Sequence, residues 1–195
     1  ITELERGAYP PAAVEANRRI GQWAHNMTYV HCPGWTIERI TSLAESMSAQ
    51  GRCDVMVLDY LTKVRPSPYT YRMSRNDQLA EQVEAIKSLV ERRSMFALVL
   101  SQVNRASANE TIKTGNALRA SGEIEEKANL VMLLDRRLLK HDEVIGGKRY
   151  EAGARSPETT LQVDKQTNGP TGSVPLWFDP EHIRFTGAVV ERLND

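Results

Sequence analysis

Apolar residues recur along this chain in two rhythms, one helical and one of strands. From Pro11 to about His25 the pattern is helical, with Val14, Arg18 and Trp23 on a weak amphipathic face, and the alternation from Met27 to Cys32 predicts a short strand. Pro33-Gly34 breaks the chain. Thr36 then stands where a helix cap is wanted, and Ile37, Ile40, Leu43, Ala44 and Met47 follow the i, i+3, i+4 rule up to Gly51. Val55 to Leu58 are continuously apolar, which predicts a strand buried on both faces. A helix from Asn76 to Arg93 follows, striped by Leu79, Val83, Ile86 and Val90, and Met95 to Gln102 repeats the buried-strand pattern. Residues 103–121 are a loop by composition, Gly122 to Ala128 a short helix, and Asn129 to Arg136 a third buried strand. The stretch 137–158, rich in glycine and charge, predicts a flexible insertion. Thr159 to Lys165, Ser173 to Asp179 and His182 to Phe185 read as an antiparallel meander, its first turn formed by Asn168-Gly169-Pro170.

Strand, helix, strand, helix, strand implies right-handed βαβ units. The expected fold is α/β, a mostly parallel sheet with helices on both faces and the antiparallel meander at one edge. Such sheets bind ligands at the carboxyl ends of their strands, which directs attention to Asp59 after Val-Met-Val-Leu and to Ser101 and Gln102 after the second apolar run. An aspartate buried there as an unpaired anion costs several kcal/mol, so the expectation is a partner: a hydrated Mg²⁺, or else a helix cap or a buried ion pair. Gln102 suits either the sensing of a phosphate or water, or an ordinary loop hydrogen bond. Lys165 ends a strand at a tight turn, as a solvated residue or as a cation aimed at a phosphate.

Composition narrows the picture in a few places. The 195 residues are 41% hydrophobic and 26% charged, with 25 cationic and 25 acidic side chains, so no global field steers a polyanion and nucleic-acid binding must come from local clusters. Cys32 and Cys53 form no Cys-x-x-Cys pair, and two buried free thiols in a reducing cytoplasm are expected rather than a zinc site. No apolar run approaches the roughly 18 to 20 residues of a membrane span, and no basic-then-apolar leader opens the sequence. A cytoplasmic protein without membrane contact is therefore the expectation. Ile1 leads straight into a charged helical pattern, from which a piece of a longer polypeptide is expected.

Four segments, Val-Met-Val-Leu-Asp-Tyr-Leu (55–61), Leu-Val-Leu-Ser-Gln-Val-Asn-Arg (98–105), the run 117–136 and the run 164–185 with its Lys-Gln-Thr-Asn-Gly-Pro-Thr-Gly turn, resemble in order and spacing the carboxyl-terminal motor domain of DnaB-type replicative helicases. The resemblance spans roughly Thr36 to Phe185. It implies a RecA-like P-loop NTPase core, here a single partial domain over 1–195, and a homo-hexameric, ATP-driven motor that moves along single-stranded DNA and separates the duplex. A primase or a loader is a further implied partner. By the same resemblance Asp59 is the Walker B residue serving Mg²⁺, and Gln102 couples the nucleotide state to the DNA-facing loop. Lys165 then approaches the phosphates of the neighbouring subunit's ATP, with Gln166 and Asn168 beside that nucleotide. Thr167 stands where the family has an arginine.

The polar loop acquires a role in this context. Arg105, Lys113 and Arg119 are interleaved with small polar residues and interrupted only by Glu110. No aromatic accompanies them, so phosphate contact is expected there rather than base stacking. The resemblance assigns Arg119 and the Gly122 amide to the DNA backbone, while Ala120 replaces the family's acidic residue. The chain contains no G-x-x-x-x-G-K-[ST], and Val-Ile-Gly-Gly-Lys-Arg-Tyr (144–150) lacks both the preceding buried strand and the hydroxyl residue. The expectation is the second half of an ATPase core, inactive alone, with the phosphate cradle and the catalytic glutamate upstream. The alternative is a non-catalytic RecA-like binding or loader module, or another RecA-like ATPase.

Overall fold

A computed structural model describes residues 10–102 and 122–187. Helix α1, Pro11–Gly21, leads through a short 3-10 turn to α2, Ile37–Ala49. Strand β1, Val55–Leu58, helix α3, Arg75–Arg93, and strand β2, Phe96–Val99, then form one βαβ unit. β1 and β2 pair in parallel, Val55 opposite Phe96 and Leu58 opposite Val99. Thr36 occupies the N-cap position of α2 but its side chain makes no capping bond, whereas at α3 the Ser74 hydroxyl accepts from the Asp77 amide.

α2 and α3 pack on a single face of the parallel pair. Ile37 and Ala44 of α2, Met56 and Leu58 of β1, and Leu79, Ile86 and Leu89 of α3 form one buried cluster with Leu61, Val64 and Met95. The opposite face is bare among the described residues: Val55, Val57, Phe96 and Leu98 are exposed. β1 and β2 are thus not buried on both sides as their continuous apolar runs predict. An apolar run records that both faces are fit to be covered, and here only one is. The predicted strand at 27–32 is not formed; Met27 and Tyr29 are exposed, and an extended segment becomes a strand only against a partner. Cys32 and Cys53 are unpaired, as expected, but half-buried rather than buried.

After the short helix α4, Gly122–Lys127, strand β3, Leu130–Asp135, turns out to be antiparallel to β6, Glu158–Gln166. With β7, Gly172–Asp179, and β8, Arg184–Gly187, it makes a four-stranded antiparallel sheet in the order β3-β6-β7-β8. Among the described residues, parallel pairing of strands is seen for β1 with β2, and an isolated parallel bridge joins Thr36 to Arg65. β3 also buries only one side, with Leu133 inside and Leu130, Met132 and Leu134 exposed.

Between β3 and β6, where a flexible insertion is expected, lies a hairpin of β4, Glu143–Ile145, and β5, Lys148–Tyr150. Its turn, Gly146-Gly147, has φ of +57° and +75°, the positive pair that two-residue hairpin turns require. A Cβ on Gly146 would lie 2.9 Å from the ring of Trp177, so the turn is seated on β7. Arg137 grips the Glu143 carboxylate with two bonds of 2.7 Å, Arg149 holds Asp142 at 2.7 Å, and Leu139 and Ile145 are buried beneath.

Leu89 is fully buried at the centre of the helical core. Leu89→Ala should cost about 2 to 5 kcal/mol, read as a lower urea midpoint at unchanged slope.

Glu143 and Asp142 are held below their ordinary values of 4.5 and 3.8, chiefly by Arg137 and Arg149 respectively. Depressed carboxylates stabilise fully above the unfolded values, and the contribution is lost as pH falls through the folded ones. The amide NMR signals of Gly146 and Gly147 should keep their positions down to about pH 5 and shift below about pH 4.

Candidate functional site

The carboxyl ends of β1 and β2 are locked together by backbone bonds that run past the last paired residues. The Leu100 amide donates to the Leu58 carbonyl at 3.0 Å, and the Leu61 amide donates to the Leu100 carbonyl at 2.9 Å. Asp59 and Gln102 therefore emerge at the same end of adjacent strands, the position that the alternation of strands and helices predicts for a ligand site. Both are exposed. This corrects the premise of a buried aspartate. Asp59 leaves the core at the strand end, and its carboxylate has no hydrogen-bond or ion-pair partner among the described residues. A free carboxylate at such a strand end suits a hydrated divalent cation, which keeps several waters and takes few protein ligands. No group of three or more His, Cys, Asp and Glu side chains capable of holding a metal by themselves occurs among the described residues.

Lys165 stands at the far end of β6, where the register shifts. Val131 faces Lys165 and Met132 faces Val163, leaving Asp164 as the extra residue of a bulge. A bulge re-aims the side chains beside it. The Lys165 ammonium lies at the carboxyl end of α4, donating to the carbonyls of Glu125 at 2.8 Å and Glu126 at 2.7 Å. These are orphan acceptors of the last helical turn, and a cation there also complements the helix dipole. An ammonium has three donors, so one remains for another acceptor.

Thr167 also makes structural contacts. Its amide and its hydroxyl both donate to the Asn129 carbonyl, at 2.9 Å and 3.1 Å. The Asn129 side chain in turn accepts from Lys87 of α3 at 2.7 Å. Gln166 and Asn168 are exposed in the turn, where a Cβ on Gly169 would collide with the Gln166 side-chain amide. That glycine lets the amide side chain fold over the turn. Arg105, Lys113 and Arg119 lie outside the described residues; Gly122 is the first residue of α4.

Two features escape a strand-end search. Gln78, on the polar side of the α3 stripe, is buried and donates to the carbonyls of Thr70 and Met73, each at 3.2 Å. The loop it holds, between β1 and α3, displays Tyr69 and Tyr71 outward. The available signal was the Pro-Ser-Pro-Tyr-Thr-Tyr-Arg run, which has no apolar periodicity to attract notice.

Comparison with known proteins adds the following. The DnaB-like helicase C terminal domain family matches residues 11–187. The replicative DNA helicase DnaB of Rickettsia conorii is 26% identical over 172 residues, which is 83% of this chain and 34% of that protein. A probable replicative DNA helicase of Trieres chinensis is 30% identical over 161 residues, 78% of this chain and 33% of that protein. This chain thus spans about a third of the length of these curated relatives. Among solved structures, an ATPase domain superimposes with a TM-score of 0.76 at 20% identity, covering 95% of this chain and 64% of that one. A DnaB-like replicative helicase, solved in a study of its interactions with primase, gives 0.68 at 22% identity, covering 87% and 40%. At these identities the two structures bear on the fold alone, which is RecA-like.

Lys165→Met keeps the stem and removes the ammonium. The expected loss is about 1 kcal/mol, measured by urea unfolding, because two carbonyls lose a charged donor at a half-exposed site. Unchanged stability would mean that these bonds contribute nothing to the fold.

Proposed function

The chain belongs to the family of DnaB-like helicase C-terminal domains, and we propose that it forms the second half of the ATPase core in a hexameric replicative helicase that moves along single-stranded DNA and opens the duplex. The observation that carries this reading is the strand end, where an exposed and unpartnered Asp59 follows β1 and an exposed Gln102 follows the adjacent β2. These residues fit Mg²⁺ with ATP: Asp59 holds the ion through its water shell, and Gln102 contacts the phosphate or the water next to it. The bound ion supplies charge neutralisation at the transferring phosphoryl group. Lys165, Gln166 and Asn168 face the nucleotide of a neighbouring subunit, Lys165 through its one remaining donor.

Arg105, Lys113, Arg119 and the Gly122 amide hold the DNA backbone, reading no sequence. Primase or a loader docks on the assembled ring, as the interaction with primase described for one structural neighbour suggests. The working compartment is the cytoplasm, and no helix among the described residues is long and apolar enough to cross a membrane. Since the sequence holds no Walker A pattern, the phosphate cradle comes from outside these 195 residues, and the chain alone does not hydrolyse ATP. A second reading, the non-catalytic RecA-like module, is favoured by one observation: Lys165 and Thr167 are both engaged in holding α4 and Asn129.

The test is Asp59→Asn in the assembled motor. Turnover of Mg-ATP should fall about a hundredfold or more with the thermal unfolding midpoint unchanged. Intact turnover would remove Asp59 from the nucleotide site and leave the non-catalytic module as the better account.

A further inference from the structure

The turn between β6 and β7 carries an asparagine whose side chain its own backbone can attack. Asn168-Gly169 is the only Asn-Gly pair among the 195 residues. Every other asparagine precedes a residue with a side chain, which crowds the next peptide nitrogen away from the asparagine carboxamide. Residues 166–170 are all exposed, and the Asn168 carboxamide has no hydrogen-bond partner among the described residues. Asn129 is a useful contrast: its side chain accepts from Lys87 at 2.7 Å, and a leucine follows it. The space that a Cβ would take at position 169 is filled by the Gln166 side-chain amide, so the 168–169 peptide keeps the unhindered form that only glycine gives. The chain on either side is held, by the two bonds from Thr167 to the Asn129 carbonyl and by the fixed φ of Pro170.

The chemistry needs only water. Hydroxide removes the Gly169 amide proton, and the nitrogen attacks the Asn168 side-chain carbonyl carbon. A new C–N bond closes a five-membered succinimide, the carboxamide C–N bond breaks, and ammonia leaves with a proton taken back from water. One water then opens the ring. Addition at the main-chain carbonyl gives isoaspartate, addition at the side-chain carbonyl gives aspartate, and nothing is oxidised or reduced. Both products carry a carboxylate that is ionised at neutral pH. Residues 165–172 contain a single charged side chain, Lys165, so the new carboxylate brings the segment to neutrality. Isoaspartate also adds one carbon atom to the main chain, next to the residue that holds Asn129.

We propose that Asn168 is a site of spontaneous deamidation, and that the carboxylate it gains cancels the positive charge this turn presents to the phosphates of a neighbouring subunit's nucleotide. The modification itself follows from the turn alone. Its effect on the nucleotide rests on the function proposed above, which places Lys165, Gln166 and Asn168 there.

The test incubates the 195-residue chain beside a synthetic peptide of residues 164–172 at mildly alkaline pH and physiological temperature. Peptide mass spectrometry, with fragmentation that separates isoaspartate from aspartate, follows both. The chain should form the two products at position 168, isoaspartate in excess, at a rate within about tenfold of the peptide's, because the folded turn opposes the attack by no more than a hydrogen bond's worth of barrier. The rate should rise with hydroxide concentration. Asn168→Gln, which would have to close a six-membered ring, should form no product in that time. An intact Asn168 in the chain once the peptide is converted, or equal deamidation at another asparagine, overturns the site. For the charge, Asn168→Asp in the assembled motor should lower turnover of Mg-ATP by about tenfold or more. Unchanged turnover overturns the effect on the nucleotide and the turn's place beside it, while the deamidation of Asn168 stands.

Discussion

The parallel register of β1 with β2 is the constraint on which the rest depends. With Leu58 opposite Val99, the next backbone bonds can only be Leu100 to Leu58 and Leu61 to Leu100, and they carry the pairing one step beyond the strands. That step sends Asp59 out of the core and turns Leu61 back into it, where it is fully buried. The chain then enters the tyrosine loop already anchored at one end. A slip of one residue would exchange the inner and outer faces of β1, putting Val57 in place of Met56 and Leu58 against the helices.

The antiparallel sheet is tied to the helical layer by polar contacts that converge on Asn129. Its carbonyl takes two bonds from Thr167, its side chain takes one from Lys87, and two residues earlier Lys127 pairs with Glu84 of α3. Lys165 adds the bonds to Glu125 and Glu126. These contacts have directional geometry, and hydrophobic contact alone does not fix a register between a short helix and a strand end. The Asp164 bulge belongs to the same arrangement, since it turns Lys165 toward α4.

Burial along the chain is one-sided, and this separates structural from ligand-facing polar groups. On the covered side, polar residues such as Ser67, Thr70, Gln78 and Gln82 are buried and hold backbone. On the open side lie Asp59, Gln102 and the tyrosine rings, and also the bare apolar face of Val55, Val57, Phe96 and Leu98.

The sequence by itself determined the elements whose signals are local. The α2 and α3 stripes, the apolar cores of β1 and β2, and the Asn168-Gly169 turn lie where periodicity and turn chemistry put them. Strand ends marked Asp59 and Gln102, because a polar residue after an apolar run is visible without a fold. Only the tertiary structure decided what depends on a distant partner. Residues 27–32 have strand periodicity but no neighbour to bond. Val57 is as apolar as Leu58 yet lies on the uncovered face. The hairpin at 143–150 is ordered because Trp177, some thirty residues on, meets Gly146. Lys165 and Thr167 read as a turn until α4 and Asn129 come beside them, because a hydrogen bond across roughly forty residues leaves no mark in the local pattern.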